Sequence, residues 1–351
     1  MKMTKAFRAA LTLSMSSALF AHAETHRFTP TTYYTTFSAA HAPALRIQPG
    51  DHVITSTVDA AGYDQDSKMV TAPGNPQTGP FYIEGAEPGD TLVVTLHRIE
   101  PSRRFGFSLD ILAAYTVDPG FLRSEAAEQG TNIVLWEIDK NAGVARVSSD
   151  ADAVRQFEQE GIESGFMRRF GYRVATESVE VPLVPMIGCL GTAPAGGEAI
   201  RSGVPARHGG NMDYSGTVAG TKVMLPVSEP GALFFLGDGH AKQGHGELVG
   251  TGVEVSMDVE FSVDLVKGSA IGWPRMENDE FLMVLGSARP LLQALQHATT
   301  ELQGWLMSDF GFTERAASLL MGQALEYEIA NVVDPNFTIV AKIRKSLLPP
   351  R

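Results

Sequence analysis

Cysteine is almost absent from this sequence, which holds a single one, Cys189, among 351 residues. One cysteine cannot form an internal disulfide, so core packing must supply the stability that many secreted proteins obtain from disulfides. Cys189 stands in an apolar stretch with Ile187 and Leu190. A lone thiol in such surroundings is most often buried and inert. We therefore expect a buried thiol, with a nucleophilic Cys189 as the alternative.

The signatures of several enzyme classes are also missing. The chain has no phosphate-binding P-loop and no convincing dinucleotide fingerprint after a strand, which disfavours nucleotide-dependent chemistry. It lacks the Gly-x-Ser-x-Gly elbow of α/β-hydrolases and the His-Glu-x-x-His helix of zincins. Any chemistry must therefore come from another arrangement of side chains.

Basic residues are comparatively few, since 28 lysines and arginines face 40 aspartates and glutamates, for a formal net charge of −12. Nucleic-acid binding needs a basic surface, so this balance argues against a nucleic-acid partner. It also disfavours adhesion to anionic membranes. Beyond the amino-terminal segment no apolar run is long enough to span a bilayer as a helix, so we expect no membrane partner.

The amino-terminal segment has the three parts of an export signal. Three basic residues precede an apolar run at 9–20, and Ala21-His22-Ala23 matches a small-x-small cleavage site. An ordinary amphipathic helix is the alternative. The sequence predicts a signal peptide at 1–23, one folded region at 24–351, and a periplasmic or secreted location.

Turn signals and short β-branched runs dominate most of the chain. The runs at 53–58 and 91–96 each follow a Pro-Gly-Asp turn, and 253–266 alternates apolar with polar residues. Apolar residues then take helical spacing at 291–305, and a second helix begins at Thr313. The sequence predicts a mainly β, sandwich- or barrel-like fold with two C-terminal helices, which gives it α+β character.

Other segments carry narrower expectations. A Gly-containing turn between 133–138 and 144–147 indicates a hairpin. Residues 150–165 are charged and polar, as in a helix or a mobile loop. The second C-terminal helix should run to about Glu328, and 337–343 should form a last strand.

The richest cluster of chemistry-bearing side chains lies in two glycine-rich segments, which we expect to be loops. His208 and Asp213 bracket one of them, and Asp238 and His240 flank Gly239 in the other. On extended backbone, residues two apart point to the same side, which suits two ligands of one ion. Imidazole and carboxylate together suit Zn²⁺ or a related divalent ion. Polar turn residues without a ligand are the alternative.

Three further acids stand out. Asp59 ends a predicted strand, Glu84 sits among aromatic residues that could raise its pKa, and Glu254 begins the alternating strand. A surface or turn carboxylate is the alternative in each case. His245 and Glu247 are weaker candidates, because a solvated turn explains them equally well.

These segments resemble the acetamidase/formamidase family, in the family's order, over about residues 45–345. The matching pieces are residues 49–59, 79–86, 88–92, 187–194, 208–213, 225–227, 237–254 and 326–335. The segments around His208 and Asp238 are the most specific. Residues 119–180 depart from the family's pattern, which leaves the size of the substrate open.

The resemblance implies a β-rich, oligomeric and metal-dependent enzyme that hydrolyses short aliphatic amides to ammonia and a carboxylate. Zinc is the expected ion. The implied metal ligands are His208, Asp213, Asp238, His240 and Asp59, and the implied catalytic carboxylates are Glu84 and Glu254. One of these two carboxylates would take the proton of the attacking water.

Two other functions fit the same residues. Cys189 could act as the nucleophile of a thiol amidase. Alternatively, the chain could be an exported β module that holds a divalent ion without turnover, a possibility supported by its alternating surface acids.

Overall fold

The computed structural model describes residues 23–121, 130–164 and 170–350. The predicted signal peptide therefore lies almost entirely outside the described residues. The earlier strands are β1 (Thr25–Arg27), β2 (Thr36–Ser38), β3 (Leu45–Ile47), β4 (His52–Ser56), β5 (Gln77–Ile83), β6 (Thr91–Pro101), β7 (Phe105–Leu109), β8 (Asn132–Asp139), β9 (Val144–Val147), β10 (Gly171–Tyr172) and β11 (Glu180–Pro182).

The later strands complete three larger sheets and a small pair. They are β12 (Met186–Gly191), β13 (Ala199–Arg201), β14 (Gly209–Asn211), β15 (Lys222–Pro226), β16 (Phe234–His240), β17 (Met257–Val266), β18 (Arg275–Glu277), β19 (Phe281–Ala288), β20 (Glu326–Asn331) and β21 (Phe337–Arg344). The helices are α1 (Ala151–Ser164), α2 (Leu291–Phe310) and α3 (Glu314–Ala324), with 3₁₀ turns at Ala195–Gly197 and Lys345–Leu347.

A nine-stranded sheet, in the order β1-β4-β17-β6-β15-β18-β19-β21-β20, forms the base of the molecule. In β17 the residues Met257, Val259 and Phe261 are buried, while Asp258 and Glu260 between them are partly exposed. This alternation follows from the two-residue period of a strand, and it confirms the sequence prediction for this segment.

A five-stranded sheet, in the order β14-β12-β16-β5-β3, packs against this base. Phe81 of β5 and Phe234 of β16 meet Phe261 of β17, with ring centroids 5.3 Å and 5.4 Å apart. One continuous buried cluster joins the inner faces of the two sheets. The predicted mainly β, sandwich- or barrel-like fold is therefore confirmed, and the two sheets pack face to face as a sandwich.

A second five-stranded sheet holds β10, β8, β9 and β11, with β7 paired to β8. The predicted hairpin is present as β8 and β9, and residues 151–164 form helix α1. Phe107 of β7 exchanges two backbone hydrogen bonds with Glu254, at 2.8 Å and 3.1 Å. This pairing ties the sheet directly to the segment that leads into β17.

The two predicted C-terminal helices lie on the other face of the nine-stranded sheet. Trp305 of α2 is buried there with Leu282 of β19. Gly286 permits close approach, because a Cβ at that position would overlap the backbone of α2 at Ala294. Thr313 caps α3 as expected, accepting a hydrogen bond from the Ala316 N–H at 3.2 Å.

The predicted end of the second helix at about Glu328 is wrong. Helix α3 stops at Ala324, and β20 begins at Glu326 and pairs antiparallel with β21. Helical periodicity could not mark this boundary, since pairing with β21 overrides the local preference. Within the described residues, none of the helices combines the length and apolar character needed to cross a bilayer.

Asp51, in the first Pro-Gly-Asp turn, fastens the amino-terminal strand to the sheet. Its Oδ1 accepts the N–H of Glu24 at 2.9 Å, and its Oδ2 accepts the N–H of Gln48 at 2.7 Å and lies 2.9 Å from His26 Nε2. Burial raises the pKa of Asp51, but these backbone donors and the His26 ring outweigh it, so the pKa lies below its ordinary value.

A depressed pKa in the folded state has a defined effect on stability. The stabilisation is present above the unfolded pKa, at about pH 4, and is lost as the pH falls through the folded pKa. We predict that Asp51→Asn lowers the free energy of unfolding at neutral pH by about 1–3 kcal/mol. Urea unfolding between neutral and acidic pH should show this difference narrowing below about pH 4.

The exposed Asp279 offers a matched control. Asp279→Asn should change the free energy of unfolding by less than about 0.5 kcal/mol at every pH. A loss in the Asp51 variant that stays the same at neutral and acidic pH would contradict the assigned role of its carboxylate.

Candidate metal centre

The carboxylates of Asp213 and Asp238 both lie against Gly188. Asp238 lies in β16 and Asp213 follows β14, and both strands pair with β12. A Cβ at Gly188 of β12 would overlap Asp213 Oδ1 and would lie 2.6 Å from Asp238 Oδ2. Only glycine leaves room for both carboxylates, so this position helps to shape the site.

His240 is the centre of the cluster. Its Nε2 lies 3.0 Å from Glu254 Oε1 and 3.5 Å from Asp238 Oδ1, and all three side chains are buried. Two sets of three residues each place their donor atoms within 4.8 Å of one another, and both sets include His240. The sets are Asp213, His240 and Glu247, and Asp238, His240 and Glu254.

The hydrogen bonds of Gln243 fix the tautomer of the His240 ring. The Gln243 amide donates to the backbone carbonyl of Asp213 at 2.6 Å, so its Oε1 accepts from His240 Nδ1 at 2.8 Å. In the neutral ring this leaves a lone pair on Nε2 directed at Glu254 and Asp238. A lone pair beside two carboxylates is unfavourable unless a proton or a cation lies between them.

Burial alone would lower the pKa of His240, but the carboxylates of Glu254 and Asp238 outweigh it and raise the pKa well above its ordinary value. In this structure His240 Nε2 nevertheless makes no hydrogen bond with satisfactory geometry. Asp213 Oδ1 and Glu254 Oε2 are likewise buried without a hydrogen-bond partner. Buried polar atoms are nearly always satisfied, so these atoms indicate a missing ligand.

Two asparagines orient the Asp213 carboxylate. Asn211 and Asn331 each donate to Asp213 Oδ2, at 2.6 Å and 2.7 Å. The Asn211 amide also donates to Asp334 Oδ2 at 2.8 Å. Because Oδ2 is held by these bonds, Oδ1 is left to face the cluster, as expected for the supporting shell of a metal site.

Backbone strain is concentrated at the same place. Asp213, Asp238 and Glu247 adopt positive φ angles of 44°, 61° and 52°. Such conformations are uncommon for residues other than glycine, and each costs of order 1–3 kcal/mol. Three strained acids in one cluster indicate that the fold holds these side chains in place for a reason other than stability.

The electrostatics of the cluster are dominated by burial and crowding. Burial and neighbouring carboxylates raise the pKa of Asp213 and Glu247 well above their ordinary values. Burial raises the pKa of Glu254 to about 7 and that of Asp334 to about 7. Burial and crowding thus disfavour ionisation of these carboxyls, and a divalent cation, which their oxygen and nitrogen donors fit, would offset that cost.

Of the predicted metal ligands, the structure brings Asp213, Asp238 and His240 together, and the predicted catalytic Glu254 joins them. The expected loops are partly strands, because His240 and Asp238 lie in β16. Their i, i+2 spacing does place both side chains on one side of the chain. Their individual roles remain predictions.

Asp59 lies close by but has other partners. Its carboxylate forms a buried ion pair with Arg103 and accepts the N–H groups of Ala61 and Tyr63, both at 2.9 Å. A carboxylate saturated in this way has little capacity left for a metal. The structure thus leaves Asp59 outside both sets of grouped donors.

The structure does not bring His208 or Glu84 to the cluster. The His208 ring packs against Phe37 with centroids 4.9 Å apart and lines a different cavity, and burial lowers its pKa to about 4. Glu84 pairs with Arg46 at 2.6 Å on the surface. It follows β5 at the end opposite Gln77, the residue that faces Gly237 of the site, about 20 Å away along the strand.

Glu247 and Asp334 lie at the site, although Glu247 was a weaker candidate in the sequence and Asp334 was not a candidate. Glu247 is 6% exposed, not in a solvated turn, and Asp334 lines the same cavity. Asp334 follows the last residues of β20, so only the three-dimensional pairing of β20 and β21 reveals its proximity. Asn331, buried at the end of β20, belongs to the same cluster, since its amide donates to Asp213 Oδ2.

Cys189 is fully buried in β12, as predicted, and its thiol donates to the Ser202 carbonyl at 3.3 Å. Burial, with a further contribution from Asp238 and Asp213, raises the pKa of the Cys189 thiol well above its ordinary value. A thiol held protonated is a poor nucleophile, so its surroundings disfavour covalent catalysis.

A cavity of about 450 Å³ opens onto the acids of the cluster. Asp238, Glu247, Glu254 and Asp334 all contribute to its lining. A small molecule in this cavity would therefore meet the proposed metal donors directly, as expected for a site of chemistry and not a purely structural ion.

The comparisons with known proteins agree with this geometry. A family model described as the acetamidase/formamidase family matches residues 41–197 and 194–348. The chain is 28% identical over 227 residues to an acetamidase of Mycolicibacterium smegmatis, covering 56% of this chain and 55% of that protein. It is 27% identical over 213 residues to a formamidase of Methylophilus methylotrophus, covering 54% of this chain and 51% of that protein.

These alignments span about half the length of the curated relatives. A crystal structure of an acetamidase from Yersinia enterocolitica is similar over 94% of this chain and 95% of its own, with 32% sequence identity and a TM-score of 0.74. The resemblance found in the sequence is thereby confirmed. Since the family model matches most of the chain and the Yersinia structure matches nearly all of it, the chain belongs to the acetamidase/formamidase family.

Proposed function

We propose that this protein is a metal-assisted hydrolase that converts linear carboxamides to ammonia and a carboxylate. The observation that carries the proposal is the buried His240 Nε2, which lies 3.0 Å from Glu254 Oε1 and 3.5 Å from Asp238 Oδ1 without a satisfactory hydrogen bond. The family membership supports the amide as substrate, because the matched relatives are named acetamidase and formamidase.

The residues that would hold the ion are Asp213, Asp238, His240 and Glu247. Their one nitrogen and several oxygen donors suit zinc, which is the ion we propose. A divalent cation at this site would supply Lewis-acid activation of the amide carbonyl and of the attacking water. The Gln243 and Asn331 side chains keep the donors oriented toward the ion.

Glu254 is the residue that we propose for proton transfer. Its Oε1 accepts the Gly252 N–H at 3.0 Å, while its buried Oε2 has no partner and the residue lines the cavity. Oε2 can accept a proton from the water that attacks the amide carbon. The same proton can then pass to the departing nitrogen, which leaves as ammonia.

Export and self-association belong to the proposal but rest on other observations. The signal-like segment at 1–23 supports a periplasmic or secreted protein, and the family resemblance supports a homo-oligomer. Amino-terminal sequencing of the protein recovered from its producing cell would test export, since an intact Met1 would contradict it. Light scattering would test the oligomer, which a monomer mass would contradict.

Glu254→Gln should lower kcat by about 10²–10⁴-fold with a smaller effect on KM, because the amide cannot accept the proton. The matched control is Glu84→Gln, which removes the other predicted catalytic carboxylate at an exposed ion pair. Ammonia release from acetamide measures both variants. Loss of activity in the Glu84 variant alone would reverse the assignment.

Removal of the metal should abolish ammonia release from formamide and acetamide and lower the melting temperature, and added zinc should restore both. At a free metal concentration about 100 times its Kd, binding stabilises the fold by about 2.7 kcal/mol. Full activity of the metal-free protein would contradict the mechanism. Stabilisation by metal with no ammonia from any amide would favour the alternative of a binding module.

The thiol-amidase alternative has a direct test. Cys189→Ala should keep the kcat for acetamide within about threefold, because the buried thiol stays protonated. Circular dichroism should show an unchanged fold. A folded Cys189 variant that lost activity by orders of magnitude would instead support the thiol nucleophile.

A further inference from the structure

The cavity above the metal donors is large for the amides that name the matched relatives. Acetamide has only four non-hydrogen atoms, so it would leave much of the cavity unfilled. The cavity volume is about 450 Å³. The remaining space must hold water or a larger part of the substrate.

One wall of this cavity is apolar. Phe107, Leu109 and Phe170 belong to the cavity lining, together with the acidic residues. Leu109 and Phe170 are partly exposed, while their covered parts pack on a cluster that includes the buried Phe107. A polar floor with an aromatic and aliphatic wall is typical of pockets that bind an apolar ligand by one polar group.

The apolar wall is fixed relative to the proposed catalytic acid. Phe107 and Glu254 exchange backbone hydrogen bonds at 2.8 Å and 3.1 Å. Two residues after Phe107 in β7, the Leu109 N–H donates to Thr251 Oγ1 at 2.9 Å. A group bound against this wall therefore has a defined position relative to the Glu254 carboxylate.

We propose that the preferred substrate is a primary amide with a bulky apolar acyl group of the size of an aryl-acetyl group. This inference rests on the proposed amide hydrolysis and adds the class of acyl group. The amide would lie over the acids and the ring against Phe107, Leu109 and Phe170. Water and the amide give ammonia and the corresponding aryl-substituted carboxylate.

The test compares acetamide with 2-phenylacetamide on the metal-loaded protein. The kcat/KM for 2-phenylacetamide should exceed that for acetamide by roughly 10- to 100-fold, the factor expected when one aromatic ring leaves water. An equal or lower value, with acetamide still hydrolysed, would overturn this inference and leave the proposed function intact. Ammonia from neither amide would overturn both.

Gly203 allows the cavity to be filled without backbone strain. It lines the cavity, its φ is not positive, and a Cβ there would have no neighbour within 4 Å. We expect Gly203→Leu to lower kcat/KM for 2-phenylacetamide by about tenfold or more, while acetamide changes by less than about threefold. Gly203→Ala should give an intermediate effect.

The matched control is Gly322→Leu, since Gly322 of α3 also has open space around its Cβ position and lies outside the cavity. This variant should leave kcat/KM unchanged for both amides. If Gly203→Leu does not fold, Leu109→Ala provides the second test, with about a fivefold loss for 2-phenylacetamide alone. Parallel losses for both amides in the folded variants would contradict the proposed binding of the ring.

Discussion

The site depends on the burial of several carboxylates around one imidazole. Asp213 is fully buried, and Asp238 and Glu254 are 3% and 2% exposed. Ionised carboxylates taken out of water are costly unless a counter-charge compensates them. The His240 ring is shared by these carboxylates, and only its Nε2 faces them, because Nδ1 is hydrogen-bonded to Gln243. A divalent cation would satisfy the unpaired donors and would compensate the ionised carboxylates at once, which is why we propose one here.

The remainder of the fold keeps these groups from relaxing. The sandwich fixes β12 and β16 side by side, and Gly188 admits two acids where any side chain would exclude them. The amides of Asn211 and Asn331 hold one oxygen of Asp213 and so expose the other. The positive φ angles at the acids show that the backbone bears a local energetic cost for this arrangement.

The sheet that contains β7 and β8 contributes to the cavity and not to the metal donors. It is joined to the Glu254 segment through Phe107, and Phe107 and Leu109 of β7 line the cavity together with the acids. In the function that we propose, chemistry and recognition would therefore be contributed by different layers. The donors come from the sandwich, and the surface that would select the acyl group comes from the adjoining sheet.

Local sequence patterns predicted the features that depend on neighbouring residues. The alternation in β17, the cap at Thr313 and the shared side of Asp238 and His240 all follow from strand or helix geometry. Features that depend on tertiary pairing were beyond such patterns. Glu84 looked equivalent to Glu254 in sequence, but β5 carries it to the opposite end of the sheet.

The same limit explains the acids that were undervalued and the histidine that lies elsewhere. Glu247 and Asp334 reach the cluster through the approach of β20 to the 243–247 segment, which no local motif encodes. His208 belongs to the right segment, but its ring turns toward Phe37. Glycine-rich stretches indicate where side chains converge without giving their directions.

The most direct test of the account is the zinc content of the purified protein after dialysis, measured by elemental analysis for the wild type and for His240→Ala. We predict at least one tightly held ion per chain in the wild type and a near-complete loss in the variant, since His240 belongs to both sets of donors. A folded variant that retained as much metal as the wild type would contradict it.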